Sequence, residues 1–545
     1  MTFLRKIKAG YYQLNDEFFL KKILVDIEPI DLSDSDYLFI FSHRKDAYYL
    51  KLYTLIAHAL SKKGYPSLFL YKDNLLRRYL PDMKKFSKKI DISDILSIKS
   101  FEVGPYFPRL IMDGKEISNS LREERTWIKI SDGKSRMLNY DWNIDFDKGK
   151  IIANKINFYP VIYNTLRTIF KRYNVDFRNK KVQKITEEMV KSCDLLLFYF
   201  LLMKKYSNEN NVKIRIVAWE QNYIPNGVFK DLCDFLSTKR DIEYIDFARG
   251  YPRYFGHFRH DSYIVTSNLT YTCMKTRLEV TREELKAFTN NHDINHTLKE
   301  IKKMRKEPNI NNFTHEQNDV LKLLNKHKDS GKNIFLLFTH LFYDTPIYDI
   351  SPAFKDMCNW VLETIEFFKK NDDFLLLKPH PVEINQDNPK FNPDETLLTF
   401  LKNNNIHLTE NIFLLKPRLF GLNEIAPFVD CGLIWRSSVS LELPFYNVPC
   451  IISGSPPYKI LDFYYAENKK DYFKLIKSIK KLSVTEDLKL NVIRYRECMK
   501  NKHKYIRSIP YNDKIKRNHF KNTYLDEYLK KGDEAINLLL DKMLK

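Results

Sequence analysis

The apolar positions of this chain fall into two kinds of stretch that alternate along much of its length. One kind is short: 37–41, 67–71, 333–338, 374–377, 412–415, 432–435 and 450–452 are apolar nearly throughout, and 212–219 and 242–247 interleave charged residues with apolar ones. The other is longer and has helical spacing: 48–60, 184–205, 228–238, 296–306, 316–327 and 351–369. Short apolar runs bounded by breakers predict strands buried on both faces, and the helical stretches between them predict crossovers. The pattern is that of parallel α/β sheets. The helix expected from Ser351-Pro352 to Lys369 would bury Phe354, Met357, Val361, Ile365 and Phe368. Asn392-Pro393-Asp394-Glu395 predicts another capped helix start, and 423–429 a short helix. The apolar run 195–203 is read as core, since it is far short of the roughly 20 residues that span a membrane. Residues 75–180 show no clear period; helices plus an insertion are expected there. From 471 onward the chain reads as helical and basic.

At 545 residues the chain predicts two or three domains. The α/β pattern occurs twice, so the expected fold is α/β with two Rossmann-like, doubly wound domains. A helical C-terminal tail follows. The boundaries read as 1–320, with the insertion around 75–180, then 328–490, then basic helices at 491–545. The break at Asp329-Ser330-Gly331-Lys332 lacks P-loop spacing, and the first βαβ unit lacks the glycine-rich dinucleotide fingerprint.

Ligands of doubly wound sheets sit beyond the carboxyl ends of the strands, and here those ends are polar. His340 follows 333–338, Lys378-Pro379-His380-Pro381 follows 374–377, and Arg436-Ser437-Ser438 follows 432–435, with Glu442 about one turn later. Lys378 and Arg436 supply positive charge, and Arg436 a two-pronged fork for phosphate. Ser437 and Ser438 would open a helix whose unpaired amides favour an anion. Glu442 could accept hydrogen bonds from ribose hydroxyls, although Pro444 shortens or kinks that helix. The flanking prolines restrict His380. Each feature alone has a plainer reading, a rigid loop for Pro-His-Pro and an N-cap for the serine pair; together, on neighbouring strand ends, they predict one anion site. In the first half, His43 lies in the turn after 37–41, a solvated turn histidine or, if that turn faces a cleft, a candidate base or acceptor contact. Glu220, at the end of 212–219, is either a surface carboxylate or a candidate general base.

The order strand–Lys-Pro-His-Pro, strand–Arg436-Ser437-Ser438 with Glu442, then Asn447-Val448-Pro449 and another strand resembles bacterial capsule-polysaccharide glycosyltransferases. That group includes capsule Kdo transferases and polysialyltransferases. The resemblance is good over roughly 330–480 and weak over the first half. It implies the GT-B fold, with the two domains facing a central cleft, the acceptor handled mainly by the first domain and the C-terminal helices at 491–545 crossing back to it. It also implies that His380, Ser437 and Ser438 hold the nucleotide phosphate of an activated sugar, a CMP-sugar being favoured, with Glu442 on the nucleotide and His340 near the donor. Residues 212–252 are similar to the family too. Where relatives carry Glu before the Gly of a Gly-x-Pro turn, however, this chain has Ala248-Arg249. No catalytic carboxylate carries over there, and Arg249 is assigned to the acceptor side. With no Asp-x-Asp at a strand end, a metal-independent transferase without a cofactor is expected, the nucleotide-sugar being substrate.

Three other readings fit the same residues: a CDP-polyol phosphotransferase of teichoic-acid type, a UDP-sugar 2-epimerase, and a non-enzymatic basic scaffold. The net charge of +21 suits nucleic acid, anionic lipid or an anionic glycan. Zinc-ligand spacing and an aromatic RNA-binding signature are both missing. The expected partners are therefore the donor, a glycan or lipid-linked acceptor and an anionic membrane surface, and not nucleic acid. Seven scattered cysteines without a Cys-x-x-Cys pair predict reduced thiols, and the first residues lack the apolar core of a signal peptide. A cytoplasmic protein is expected, free or peripheral at the inner face of the plasma membrane.

Overall fold

The computed structural model describes residues 35–42, 47–65, 67–72, 100–103, 108–111, 126–129, 135–138, 140–218, 222–237, 241–250, 262–267, 280–288, 291–304, 308–343, 351–384, 393–456, 458–502, 511–512, 517–518, 522–532 and 534–544. Two sheets organise them. Their strands are, in chain order, β1 (Tyr37–Ser42), β2 (Ser67–Lys72), β3 (Ser100–Val103), β4 (Pro108–Ile111), β5 (Lys213–Ala218), β6 (Ile242–Gly250) and β7 (Ser262–Ser267) in the first sheet. The second holds β8 (Ile334–Phe338), β9 (Phe374–Lys378), β10 (Ile412–Leu414), β11 (Cys431–Ile434), β12 (Cys450–Ile452) and β13 (Tyr464–Tyr465).

The first sheet has the order β7-β6-β5-β1-β2-β3-β4, parallel in its middle, with β7 and β4 antiparallel at the edges. The second has the order β10-β9-β8-β11-β12-β13 and is parallel throughout. Counted from β8, this is the doubly wound order in which the chain winds outward first to one side and then to the other. Ile334, Leu336 and Phe338 face a core shared with the helices His315–Asp329 and Glu486–Lys502. Phe335 and Leu337 face another, shared with the helix Met357–Phe368. Both faces are covered, so these strands are apolar at every position rather than at alternate ones.

Several local expectations change. The described part of 75–180 is mostly strand. It adds β3 and β4, a hairpin (Thr126–Lys129 with Ser135–Leu138) and a meander (Trp142–Asp145, Lys150–Ala153, Ile156–Asn157) before one helix, Tyr159–Phe170. Strands of two to four residues are too short to show a period. The strand expected at 242–247 continues as β6 to Gly250, so that Arg249 pairs in register with Tyr263; the rest of the expected Gly-x-Pro turn lies outside the described residues. The helix expected from Ser351-Pro352 begins only at Met357. Asp356 caps it by accepting the Asn359 N–H at 2.8 Å, while the Ser351 hydroxyl accepts the amides of Ala353 and Phe354 in a turn of its own. Likewise Thr396, in a reciprocal cap with Thr399, starts the helix Leu397–Asn403, and the Glu395 carboxylate accepts the Tyr173 N–H at 2.8 Å.

The helix Lys180–Asn210 buries Leu196, Leu197 and Phe200 in the core under the first sheet. Leu525, Tyr528, Ile536, Leu540 and Met543, from the last two helices, join the same core, and the Tyr528 hydroxyl lies 2.9 Å from His58 Nδ1. Among the described residues, no helix is long and apolar enough to cross a membrane.

Candidate functional site

β8 and β11 are neighbours, with Phe338 opposite Ile434. The chain leaving β8 returns as β9 on one side, and the chain leaving β11 returns as β12 on the other. The two crossovers therefore diverge and leave a crevice beyond the carboxyl ends of β8 and β11, the place where doubly wound sheets bind their ligands. Thr339-His340, Lys378-Pro379-His380 and Arg436-Ser437-Ser438 are the three segments that leave β8, β9 and β11 there.

Thr339 pins the start of its loop by donating both its amide (3.2 Å) and its hydroxyl (3.3 Å) to the Lys378 carbonyl. His340 Nε2 is enclosed and has no hydrogen-bond partner. Burial, with the Arg436 guanidinium and His380 adding to it, holds the His340 imidazole down at about 3, so it is neutral. His380 Nδ1 accepts the Val382 N–H at 3.2 Å, capping the turn Pro381–Glu383. Burial, and then the charge of Lys378, lowers its affinity for a proton. A neutral ring that accepts at Nδ1 carries its hydrogen on Nε2, so His380 has one N–H to offer. Lys378 is buried, and its ammonium donates to the Phe420 carbonyl at 2.6 Å. Burial lowers it to about 8, against a raising effect of Glu424.

After β11, Ser437 Oγ accepts the Val439 N–H at 3.3 Å, and the Ser437 carbonyl accepts the Tyr458 hydroxyl at 2.7 Å. The Ser440 hydroxyl in turn donates to Tyr458 Oη at 2.7 Å. In place of the expected α-helix there are two 3₁₀ turns, Ser438–Leu441 and Leu443–Tyr446, which meet at the half-buried Glu442. Pro444 cannot donate an amide to continue a helix, and Asn447 closes the second turn in the left-handed region at φ 60°. Two glycines let these loops approach. A Cβ on Gly454 would lie 2.5 Å from the Trp435 carbonyl oxygen, and one on Gly432 would lie 2.5 Å from Leu443 Cδ1.

The structure thus gathers His340, Lys378, His380, Arg436, Ser437, Ser438 and Glu442 at adjoining strand ends. His43 and Glu220 lie outside the described residues. They come after β1 and β5, whose last residues, Ser42 and Ala218, face each other where the crossovers of the first sheet diverge. Arg249 is placed only by its backbone, on β6.

Sequence reasoning passed over two residues. The buried Glu383 accepts the Leu397 N–H at 3.0 Å on Oε2, while Oε1 has no partner, and burial raises its carboxyl to about 7. It braces the His380 loop against the helix Leu397–Asn403. An acid three residues after a capping side chain was the available signal. Arg418, in the left-handed region at φ 66°, donates through Nε to the Pro381 carbonyl at 2.7 Å and holds the same loop from the other side. Among the described residues, no group of three or more His, Cys, Asp or Glu is arranged to hold a metal ion.

No protein-family model and no curated protein sequence matches this chain. Among solved structures it is similar to the beta Kdo 2,7 transferase KpsC of Thermosulfurimonas dismutans, at 15% identity and a TM-score of 0.31, covering 54% of this chain and 80% of that one. It is also similar to the UDP-GlcNAc 2-epimerase of Methanocaldococcus jannaschii, at 11% identity and a TM-score of 0.25, over 86% of this chain and 99% of that one. A third is the wall teichoic acid polymerase TagF, at 13% identity and a TM-score of 0.20, over 56% and 80% of the two chains. At such scores these likenesses settle neither the architecture nor the chemistry of this chain.

Proposed function

We propose that this protein is a glycosyltransferase that moves a sugar from a nucleotide-activated donor, a CMP-sugar being favoured, to a hydroxyl of a growing surface glycan or lipid-linked acceptor. The observation that carries this reading is the divergence of β8 and β11, with His340 and the cation Arg436 just beyond the two diverging strands and His380 just beyond the next. An enclosed imidazole nitrogen without a partner is costly, and a ligand oxygen would satisfy it.

In this reading the nucleotide phosphate lies against the Arg436 guanidinium, the Nε2–H of His380 and the amides and hydroxyls of Ser437 and Ser438. Lys378 adds its charge from behind the loop. As the bond from the sugar to the phosphate oxygen breaks, negative charge collects on the leaving nucleotide. Donors already fixed at that place stabilise it without reorganising. The attacking hydroxyl gives up its proton to a base of the first half, for which His43 and Glu220 remain the candidates. No metal or cofactor is assigned a role.

Release of free CMP from a CMP-sugar, measured by chromatography in the presence and absence of glycan acceptors, tests the reaction. Acceptor-dependent release that disappears in Arg436→Ala supports it. Release of CMP from a CDP-alcohol alone would favour polyol-phosphate transfer. Acceptor-independent conversion of a UDP-sugar would favour epimerisation.

A further inference from the structure

A second cavity, of about 560 Å³, opens between the helix Tyr159–Phe170 with its adjoining turn and the starts and ends of two helices of the second sheet. Its volume lies within the roughly 300–1,000 Å³ typical of small-molecule sites. Tyr159 and Tyr163, one turn apart on the same helix, lie nearly parallel, with ring centroids 5.3 Å apart and an interplanar angle of 15°. At that spacing the two rings are stacked with an offset, a paired aromatic wall of the cavity. Tyr173 and Phe400 add two further rings to the lining, and Asn174, Asn359 and Asn404 add carboxamides.

Of the charged residues that line the cavity, Arg167 and Asp356 are engaged, and Lys355 stands exposed at its edge. The buried Arg167 donates to the Phe342 carbonyl and sits 4.9 Å from the Tyr173 ring centroid. Asp356 caps the Met357–Phe368 helix. Burial raises Tyr159 to about 12 and raises Tyr173 further, so both hydroxyls stay protonated and neutral. Beside the exposed Lys355, the cavity therefore presents aromatic rings edged by neutral amides and hydroxyls. A pyranose ring matches that combination, because its C–H faces lie flat on aromatic rings while its hydroxyls seek amide donors and acceptors at the edge. The cavity also adjoins the crevice: Phe400 stacks on Phe342 at 4.5 Å, and Phe342 lies two residues beyond His340.

We propose that this cavity is a glycan-binding subsite that holds pyranose rings of the acceptor chain away from the reacting end, with Tyr159 and Tyr163 as the platform and Asn359 and Asn404 as hydrogen-bonding edges. The proposal rests on the glycosyl-transfer reading for calling the bound chain an acceptor, but the binding itself can be measured separately.

The test is saturation-transfer NMR on the full chain with chitotetraose, an α2,8-linked sialic acid tetramer and a heparan-type tetrasaccharide, with CMP alone as a control. Two variants are compared: Asn404→Trp, which fills the mouth from an exposed position, and Tyr159→Ala, which removes one ring of the stacked pair. At least one oligosaccharide is expected to bind, with affinity reduced fivefold or more in each variant, while the thermal shift caused by CMP is unchanged. If none of the three binds, or if binding survives both substitutions, the subsite is overturned. If the variants abolish the response to CMP instead, the cavity takes a nucleobase and the proposal is again overturned. Oligosaccharide binding that depends on Tyr159 in a protein insensitive to every nucleotide would keep the subsite and remove the transferase reading.

Discussion

Lys378, the last residue of β9, turns its ammonium inward onto the Phe420 carbonyl at 2.6 Å. It thereby ties the Pro-His-Pro loop to the loop after β10, and its charge reaches the crevice from below. Burial lowers it to about 8, so it is charged at pH 7 and loses its proton as the pH rises through that value. A bound phosphate favours the charged form. CMP affinity is therefore expected to fall several-fold between pH 7 and pH 9 as Lys378 deprotonates, and this limb should be missing in Lys378→Met. Isothermal titration at the two pH values measures both.

The two imidazoles give a pH dependence on the acid side. Both are held below their ordinary proton affinity, first by burial and then by cationic neighbours. A phosphate placed beside them would raise them, so the bound state takes up protons that the free state does not. Nucleotide affinity should then rise as the pH is lowered from 8 to 6, and His380→Gln should flatten the rise. Calorimetry in buffers of different ionisation enthalpy reads the proton uptake directly.

Glu383 couples the site to stability with the opposite sign from an ordinary surface acid. Burial raises its carboxyl from 4.5 to about 7. Between those values the unfolded chain loses a proton that the folded chain keeps, so the stability it contributes is complete below 4.5 and is lost as the pH rises through 7. Glu383→Gln keeps an acceptor for the Leu397 N–H and removes the charge. The variant should equal the parent near pH 4.5 and exceed it at pH 8 by on the order of 2–3 kcal/mol, by denaturant titration.

Gly454 is needed for closeness rather than for backbone freedom. Its Cβ would meet a carbonyl oxygen, and main chain cannot swing aside as a side chain can. Gly454→Ala should cost about 1–3 kcal/mol and weaken nucleotide binding, because the end of β11 must move. Gly331, at φ +77° with open space around it, is the contrast. There Ala should cost about 1 kcal/mol through strain alone and leave nucleotide binding unchanged. Thermal midpoints with and without CMP separate the two.

The second sheet was legible because each of its main strands is buried on both faces and so reads as an unbroken apolar run. Its strand ends, and with them His340, His380 and Arg436, could be located from the breakers that come next in the chain. Less could be read where the chain uses local hydrogen bonds instead of period. Ser351 looks like an N-cap but closes its own turn, and the true cap is Asp356, five residues on. Ser437 does cap, but Pro444 limits the chain beyond it to 3₁₀ turns. The strands between Thr126 and Asn157 are too short for any pattern to accumulate. Tyr159 and Tyr163 fall within 75–180, where the sequence shows no clear period, so the helix that carries both was not legible. Its use depends on the helices Met357–Phe368 and Leu397–Asn403 standing opposite, which no local signal encodes.

The central claim is that the crevice between β8 and β11 binds the phosphate of a nucleotide. The most direct test is thermal stabilisation by CMP, CDP, UDP, GDP and ADP, since a ligand of the native state raises the midpoint according to its affinity. The parent chain and the double variant His380→Ala, Ser438→Ala are measured side by side. A shift with CMP that disappears in the double variant is the expected result. A shift with UDP or GDP in place of CMP would keep the site and change the donor. No shift with any nucleotide, or one that the double variant retains in full, would contradict the account.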